Sequence, residues 1–347
     1  MKRMLVVLAA GLLSSSLVAA PAWAADAVTD SLVPDIATAQ QVAAFWLGDG
    51  GANLRNATPY NVQTVVVGER VPTAGVPADG KSGYIAPLAP STSGPPNVKT
   101  PVASGKVFFV DADGRPHWCT GTAVHSAYRN LVATAGHCVY DIQGNATTLD
   151  KWVFVPGYSA GTTPWGLYVG KQASTHYDFR TYTDHDRNYA FVNVYSGVVS
   201  SPSGELTDLG RLGDNVGGQG LAFNLTAGTS VDVFGYPAGP HPDGKQPYTG
   251  ETIESSSGPT FGMRITNLPA DQIIGVDSRF TGEGSLGSSW LSSYDKRAHL
   301  GYLNGITTSV SDTDGNLRYD TSVSPYFDGQ LRAVYGTASG IWTGSIV

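Results

Sequence analysis

The sequence predicts an all-β chain of the sandwich or barrel kind, on three observations. Glycine is abundant, at 43 of 347 residues, and charged residues make up only 14%. Strongly periodic helical stretches are few, a balance that favours turns and strands over helices. Short apolar runs rich in β-branched and aromatic residues recur along the chain. They include Lys106-Val107-Phe108-Phe109-Val110, Leu131-Val132-Ala133-Thr134, Trp152-Val153-Phe154-Val155, Ala190-Phe191-Val192-Asn193-Val194 and Val231-Asp232-Val233-Phe234-Gly235-Tyr236. Each is bounded by Gly, Pro, Asn or Asp, the punctuation of strands joined by tight turns. The length suffices for one large core or two stacked ones, and no internal repeat is present.

The N-terminus reads as an export signal. Lys2 and Arg3 form a positive region, Met4 to Leu13 an apolar one, and Ala22-Trp23-Ala24 a cleavage site, so residues 1–24 are expected to be removed. Ser14-Ser15-Ser16 breaks the apolar run before it could span a bilayer, and no later stretch is apolar enough to do so. The expected location is extracellular, with no membrane partner. Residues 25 to about 45 suit a short helix, capped at Asp30-Ser31, with Ile36, Ala37, Val42, Ala43 and Phe45 as its apolar positions. Val71 to Gly105 is rich in Pro, Gly and Ser, including Gly94-Pro95-Pro96, and reads as an extended linker. Residues 25–104 are therefore a pro-region or N-terminal extension ahead of a main domain at 105–347. The alternative is an ordered arm packed across that domain.

The formal net charge of -7 leaves no basic footprint and argues against a nucleic-acid partner. Cys119 and Cys138 are the only cysteines. An oxidising compartment pairs them, and they flank a segment that reads as two short strands. A free thiol or zinc site is the weaker reading, because no CxxC spacing occurs. Nothing in the sequence implies a cofactor. Asn56, Asn145 and Asn224 lie in glycosylation sequons.

Cys119-Thr120-Gly121-Thr122-Ala123-Val124, followed by Leu131-Val132-Ala133-Thr134-Ala135-Gly136-His137-Cys138, resembles the chymotrypsin/trypsin-like serine peptidase family. Lys106-Val107-Phe108-Phe109, Phe154-Val155-Pro156-Gly157-Tyr158, the run from Gly217 to Asn224 and Phe234-Gly235-Tyr236-Pro237-Ala238 extend the likeness to its secreted actinobacterial group. Together these stretches cover most of residues 105–330. The resemblance implies two six-stranded antiparallel β-barrels, a cleft between them for a polypeptide substrate or protein ligand, and His137 as general base. A disulfide beside the histidine suits that role, because a base must hold one orientation. The second disulfide common in the group is absent, its positions being Thr249 and Ser278.

The resemblance also implies an acidic residue that accepts the Nδ1 hydrogen of the histidine. Asp186 is the best match, at the head of Asp186-Arg187-Asn188-Tyr189-Ala190-Phe191-Val192-Asn193. A second register places Asn188 there, which carries no charge. His176, Asp178, Asp184, His185 and Asp186 make a polar cluster whose irregular spacing suits a solvated loop better than a metal site.

The nucleophile motif departs from the family's Gly-x-Ser-Gly-Gly/Ser-Pro. Here the chain reads Thr281-Gly282-Glu283-Gly284-Ser285-Leu286-Gly287-Ser288-Ser289-Trp290-Leu291. Aligned from Thr281-Gly282, Ser285 is the nucleophile, with Glu283 at the oxyanion-hole glycine and Leu286 where glycine should follow. Aligned from Trp290-Leu291, Gly284 becomes the oxyanion-hole candidate and Gly287 and Ser288 keep their roles. Leu286, with no nucleophilic atom, then takes the nucleophile position and Ser289 replaces the proline. The pocket floor falls at Arg279 or Phe280, according to register. Two functions remain open: a catalytically silent peptidase homologue that binds a polypeptide, and an active serine endopeptidase using His137, Asp186 and Ser285. A structural or cell-wall-associated role has no repeat or anchor motif behind it.

Overall fold

The structure, a computed structural model, describes residues 26–71, 76–91, 100–144 and 147–347. The export signal and Asn145 lie outside the described residues. The chain enters as strand β1 (Ala27–Ser31) and helix α1 (Ile36–Asn56). The expected cap at Asp30-Ser31 is therefore a strand. Asp35 caps the helix instead, its carboxylate accepting the Thr38 N–H at 2.8 Å. The helical path breaks at Gly48–Gly51, where three residues take positive φ. Three short strands follow: β2 (Thr58–Pro59), β3 (Gly68–Val71) and β4 (Gly83–Ile85).

Six strands then close a barrel: β5 (Ser104–Val110), β6 (Pro116–Val124), β7 (Leu131–Thr134), β8 (Asp150–Pro156), β9 (Tyr168–His176) and β10 (Ala190–Val194). Their order is β5-β6-β7-β10-β9-β8, every pair is antiparallel, and β8 returns to β5. The unbroken apolar runs in β5 and β8 have a physical cause. Successive side chains point to opposite faces, and here both faces are covered. Val107, Phe109, Trp152 and Phe154 fill the barrel. Phe108, Val110, Val153 and Val155 meet Val42 and Trp46 of α1 on the outside.

Helix α1 is thus an ordered arm packed across the barrel. Trp46 is fully buried and its indole N–H donates to the Lys151 carbonyl at 2.6 Å. β1 pairs with β9, β2 with β6, β3 with β15 (Glu254–Ile265) and β4 with β13 (Gly220–Phe223). Within Val71 to Gly105, expected to be an extended linker, the described strand β4 pairs with β13.

The second large sheet follows a hairpin of β11 (Gly197–Ser200) and β12 (Leu206–Gly210). It comprises β13, β14 (Ser230–Gly235), β15, β16 (Ile273–Asp277), β17 (Ser289–Asp295), β18 (Leu300–Ile306), β19 (Ser309–Ser311) and β20 (Thr321–Pro325), with β3 and β4 added. Its order is β19-β20-β16-β15-β14-β17-β18-β13-β4, antiparallel except between β13 and β18. Short helices α2 (Tyr177–Tyr182) and α3 (Leu212–Val216) sit on connections, and α4 (Gly329–Ser339) packs Leu331, Val334 and Ala338 onto the barrel core. Leu286, Leu291 and Ile306 of the second sheet's region join that same core, so the two halves share one apolar interior. No described helix is long and apolar enough to cross a membrane.

Candidate active site

His137 sits on a single 3-10 turn (Gly136–Cys138) directly after β7, all of whose residues are buried. Cys138 is bonded to Cys119 of β6, so a covalent tie flanks the histidine. The imidazole is 1% exposed. Burial, and then the neighbouring His185, push its pKa down to about 3.

The partner of His137 Nδ1 is Asn188, whose amide nitrogen lies 2.7 Å away. The orientation of that amide follows from a second bond: Asn188 Oδ1 accepts the His137 backbone N–H at 3.1 Å. Nδ2 therefore faces Nδ1 and donates to it. An imidazole whose Nδ1 accepts carries its proton on Nε2, the wrong tautomer for removing a proton from a nucleophile. Nε2 itself is buried and has no hydrogen-bond partner among the described residues.

Asp186, expected beside His137, is elsewhere. Its carboxylate accepts the backbone N–H groups of Asp271, at 3.0 Å, and Gln272, at 2.7 Å. The 3-10 turn His185–Arg187 turns it toward that loop before β10 begins. The pairing of Ala190 with Thr134 brings Asn188 level with the turn after β7. The polar cluster is mixed: its two histidines are buried, while Asp178, Asp184 and Asp186 are partly exposed. His176 and His185 are 2% and 7% exposed, His176 Nδ1 accepts the Asp178 N–H, and Asp184 accepts the Asp186 N–H.

The loop at 281–288 is held from all sides. Gly284 and Gly287 take φ of +73° and +87°, a conformation open to glycine at little cost. A Cβ on Gly287 would lie 1.9 Å from the Thr120 carbonyl, and one on Gly284 would strike the Trp118 ring at 2.2 Å. Thr120 donates its N–H to the Leu286 carbonyl at 2.8 Å and its hydroxyl to the Gly284 carbonyl at 2.9 Å. Leu286 is fully buried and belongs to the barrel core. Ser285 is also fully buried, and its hydroxyl donates to the Gly282 carbonyl at 3.1 Å rather than to His137. Among the described residues no hydrogen bond joins the three expected triad members: His137 pairs with Asn188, Asp186 accepts from Asp271 and Gln272, and Ser285 donates to Gly282.

Glu283 accepts from Asn61 Nδ2 at 3.1 Å, and burial holds its carboxyl above the usual range. Behind the loop, Trp118 stacks under Lys106, whose Nζ lies 3.5 Å from the ring centroid. Burial lowers the Lys106 pKa to about 7, opposed by Glu251. Of the two pocket-floor candidates, Phe280 is buried in a cluster with Trp290, whereas Arg279 lines a cavity of about 390 Å³ with His241, Lys245, Arg318 and Tyr319. Asp312, Asp314 and Asp320 gather nearby, but Asp312 and Asp320 already accept backbone N–H groups of their own loop. Asn224 is 4% exposed, which removes it as a glycan acceptor in the folded chain. Sequence reasoning missed Thr120, Trp118, Lys106 and Asn61. Trp118 and Thr120 flank Cys119 and Lys106 heads one of the matching stretches, which are the signals that could have flagged them; Asn61 has none.

No protein-family model matches this chain, and no curated protein matches it. Among solved structures it is similar to a thermostable serine protease, AL20, from an extremophilic microorganism. The two are 26% identical, with a TM-score of 0.55 over 69% of this chain and 97% of that one. It is similarly related to the protease Anisep from Arthrobacter nicotinovorans, at 26% identity and a TM-score of 0.55, covering 73% and 99% of the two chains. Closed barrel, second sheet, disulfide and neighbours together support the chymotrypsin/trypsin-like serine protease family as the one this chain resembles in sequence and in fold.

Proposed function

We propose that this chain is an exported, catalytically silent homologue of the trypsin-like serine peptidases that binds polypeptide without cleaving it. The observation that carries the reading is the His137–Asn188 pair. Asn188 donates to Nδ1, so Nε2 holds the proton that a general base must be free to take. An asparagine in this role lowers turnover by about four orders of magnitude in a working triad. The loop supports the same reading. Left-handed glycines at 284 and 287 match the register in which Leu286 stands at the nucleophile position, and a buried aliphatic side chain there forms no acyl-enzyme. Residues 1–24 act as the export signal, 25–104 as an N-terminal extension that stays on the fold, and 105–347 as the peptidase-like body. The Cys119–Cys138 bridge supports an oxidising, extracellular address.

The test is to titrate the full chain, less residues 1–24, into fluorescein-labelled, reduced and carboxymethylated lactalbumin. Anisotropy is expected to rise while the probe stays intact on a gel over hours. Cleavage that disappears in Ser285→Ala would replace this reading with that of an active serine endopeptidase.

A further inference from the structure

Between β2 and β3 the chain crosses from the barrel to the second sheet over the 281–288 loop. Tyr60 donates its N–H to the Trp118 carbonyl at 2.9 Å, and Tyr60 and Val62 are buried in the barrel core. Asn61 reaches Glu283 of the loop at 3.1 Å. Gln63 takes a left-handed backbone, with φ of +48°, and redirects the chain. Thr64 then lies on Gly282, so closely that a Cβ on that glycine would come within 2.8 Å of Thr64 Cβ and 3.2 Å of Thr64 O.

Beyond Thr64 the segment runs along an edge strand. β19 is the last strand of the second sheet and pairs with β20 on one side. On its other side, Thr64 O accepts the Val310 N–H at 2.8 Å, Val310 O accepts the Val66 N–H at 3.0 Å, and Val65 pairs with Val310 in parallel. Gly68 N–H adds a bond to Ser311 Oγ at 3.1 Å. An edge strand beside a groove recruits an extended chain through its backbone groups. Here that chain is supplied in cis.

We propose that Asn61–Val66 is a tethered ligand that fills the polypeptide groove formed by the β19 edge and the 281–288 loop. An external extended polypeptide binds by displacing it. This inference rests on the polypeptide-binding reading above and adds its regulation. A tethered strand competes at high effective concentration, so only the fraction of molecules with the strand lifted binds an outside chain, and apparent affinity falls by that fraction.

The experiment compares the wild-type chain with Val66→Pro, which deletes the Val66 N–H, and with Asn61→Ala, which leaves every buried side chain in place. Amide exchange at Val310 reads the tethered strand directly, exchange at Val192 in β10 reads the integrity of the barrel, and the lactalbumin probe reads the groove. Val66→Pro is expected to speed exchange at Val310 at least tenfold with Val192 unchanged, and to tighten probe binding at least tenfold. Asn61→Ala is expected to move both in the same direction by a smaller factor. Fast exchange at Val310 with probe affinity equal to wild type overturns the tethered ligand and leaves the polypeptide-binding reading standing. Fast exchange at Val310 with no probe binding by any of the three chains overturns the binding reading itself. If Val66→Pro also loosens Val192, Asn61→Ala decides alone, and an unchanged Val310 and probe affinity there overturn the proposal.

Discussion

The His137 imidazole is buried against an amide, and this sets how it answers acid. Its pKa falls from an ordinary 6.5 to about 3, mainly because burial penalises the charged ring. The unfolded ring takes up a proton below about pH 6.5 and the folded one does not until about pH 3. The stabilisation is therefore complete above pH 6.5 and is lost as pH drops toward 3, by about 1.4 kcal/mol per pH unit for one such group. Burial lowers His176 and His185 as well, so they add to the slope in the same direction. Urea unfolding at pH 7.5 and pH 5 is expected to show a clear loss at the lower pH, and His137→Gln should flatten part of it. Asn188→Asp would put a hydrogen-bond acceptor 2.7 Å from Nδ1. Imidazole NMR is expected to place the His137 pKa at least one unit higher in that variant, and under the silent-homologue proposal peptide hydrolysis is expected to stay absent, since Leu286 is unchanged. At this scale the sequence was only half readable. TAGHC with an upstream cysteine located the histidine, but Asp186 and Asn188 both fit the stretch before β10. The choice is made by a 3-10 turn and by the amides of Asp271 and Gln272, which lie 85 and 86 residues away.

Two elements fix the geometry of the site: the 281–288 loop and the hairpin of β6 and β7 that carries His137. Gly287 has both a left-handed backbone and no room for a side chain, since a Cβ there would overlap the Thr120 carbonyl. Gly287→Ala is expected to cost about 2 kcal/mol or more, read as a fall in midpoint in urea, because backbone rather than a movable side chain must yield. The Cys119–Cys138 bridge spans 19 residues of sequence. Closing a loop of that size stabilises by roughly 3 kcal/mol, so reduction with dithiothreitol should lower the melting temperature and broaden the His137 resonance. The bridge was legible from the cysteine count together with the export signal. The loop was legible only as two competing registers, because glycine spacing and serine chemistry pointed to different residues. The φ values at Gly284 and Gly287 follow the glycine spacing.

For the whole molecule, the described part of residues 25–104 is built into the fold. It gives a strand to the barrel sheet through β1, a helix to the barrel's outer face, and edge strands to the second sheet through β3 and β4. Trp46→Ala is expected to cost about 3–5 kcal/mol of stability and to open residues 36–56 to trypsin, as for other buried large aromatics. The missing polar alternation in β5 and β8 matches strands covered on both faces. It could not name the cover, because the stripe of Val42, Ala43 and Trp46 carries no address in its own sequence. The peptidase framework is kept at every scale, and the proposed loss of its chemistry rests on the His137–Asn188 pair and the 281–288 loop. The most direct test treats the chain, less residues 1–24, with a fluorophosphonate and maps the product by mass spectrometry. Catalytic silence predicts no adduct on Ser285 at any pH between 6 and 9. A stoichiometric adduct there would contradict it.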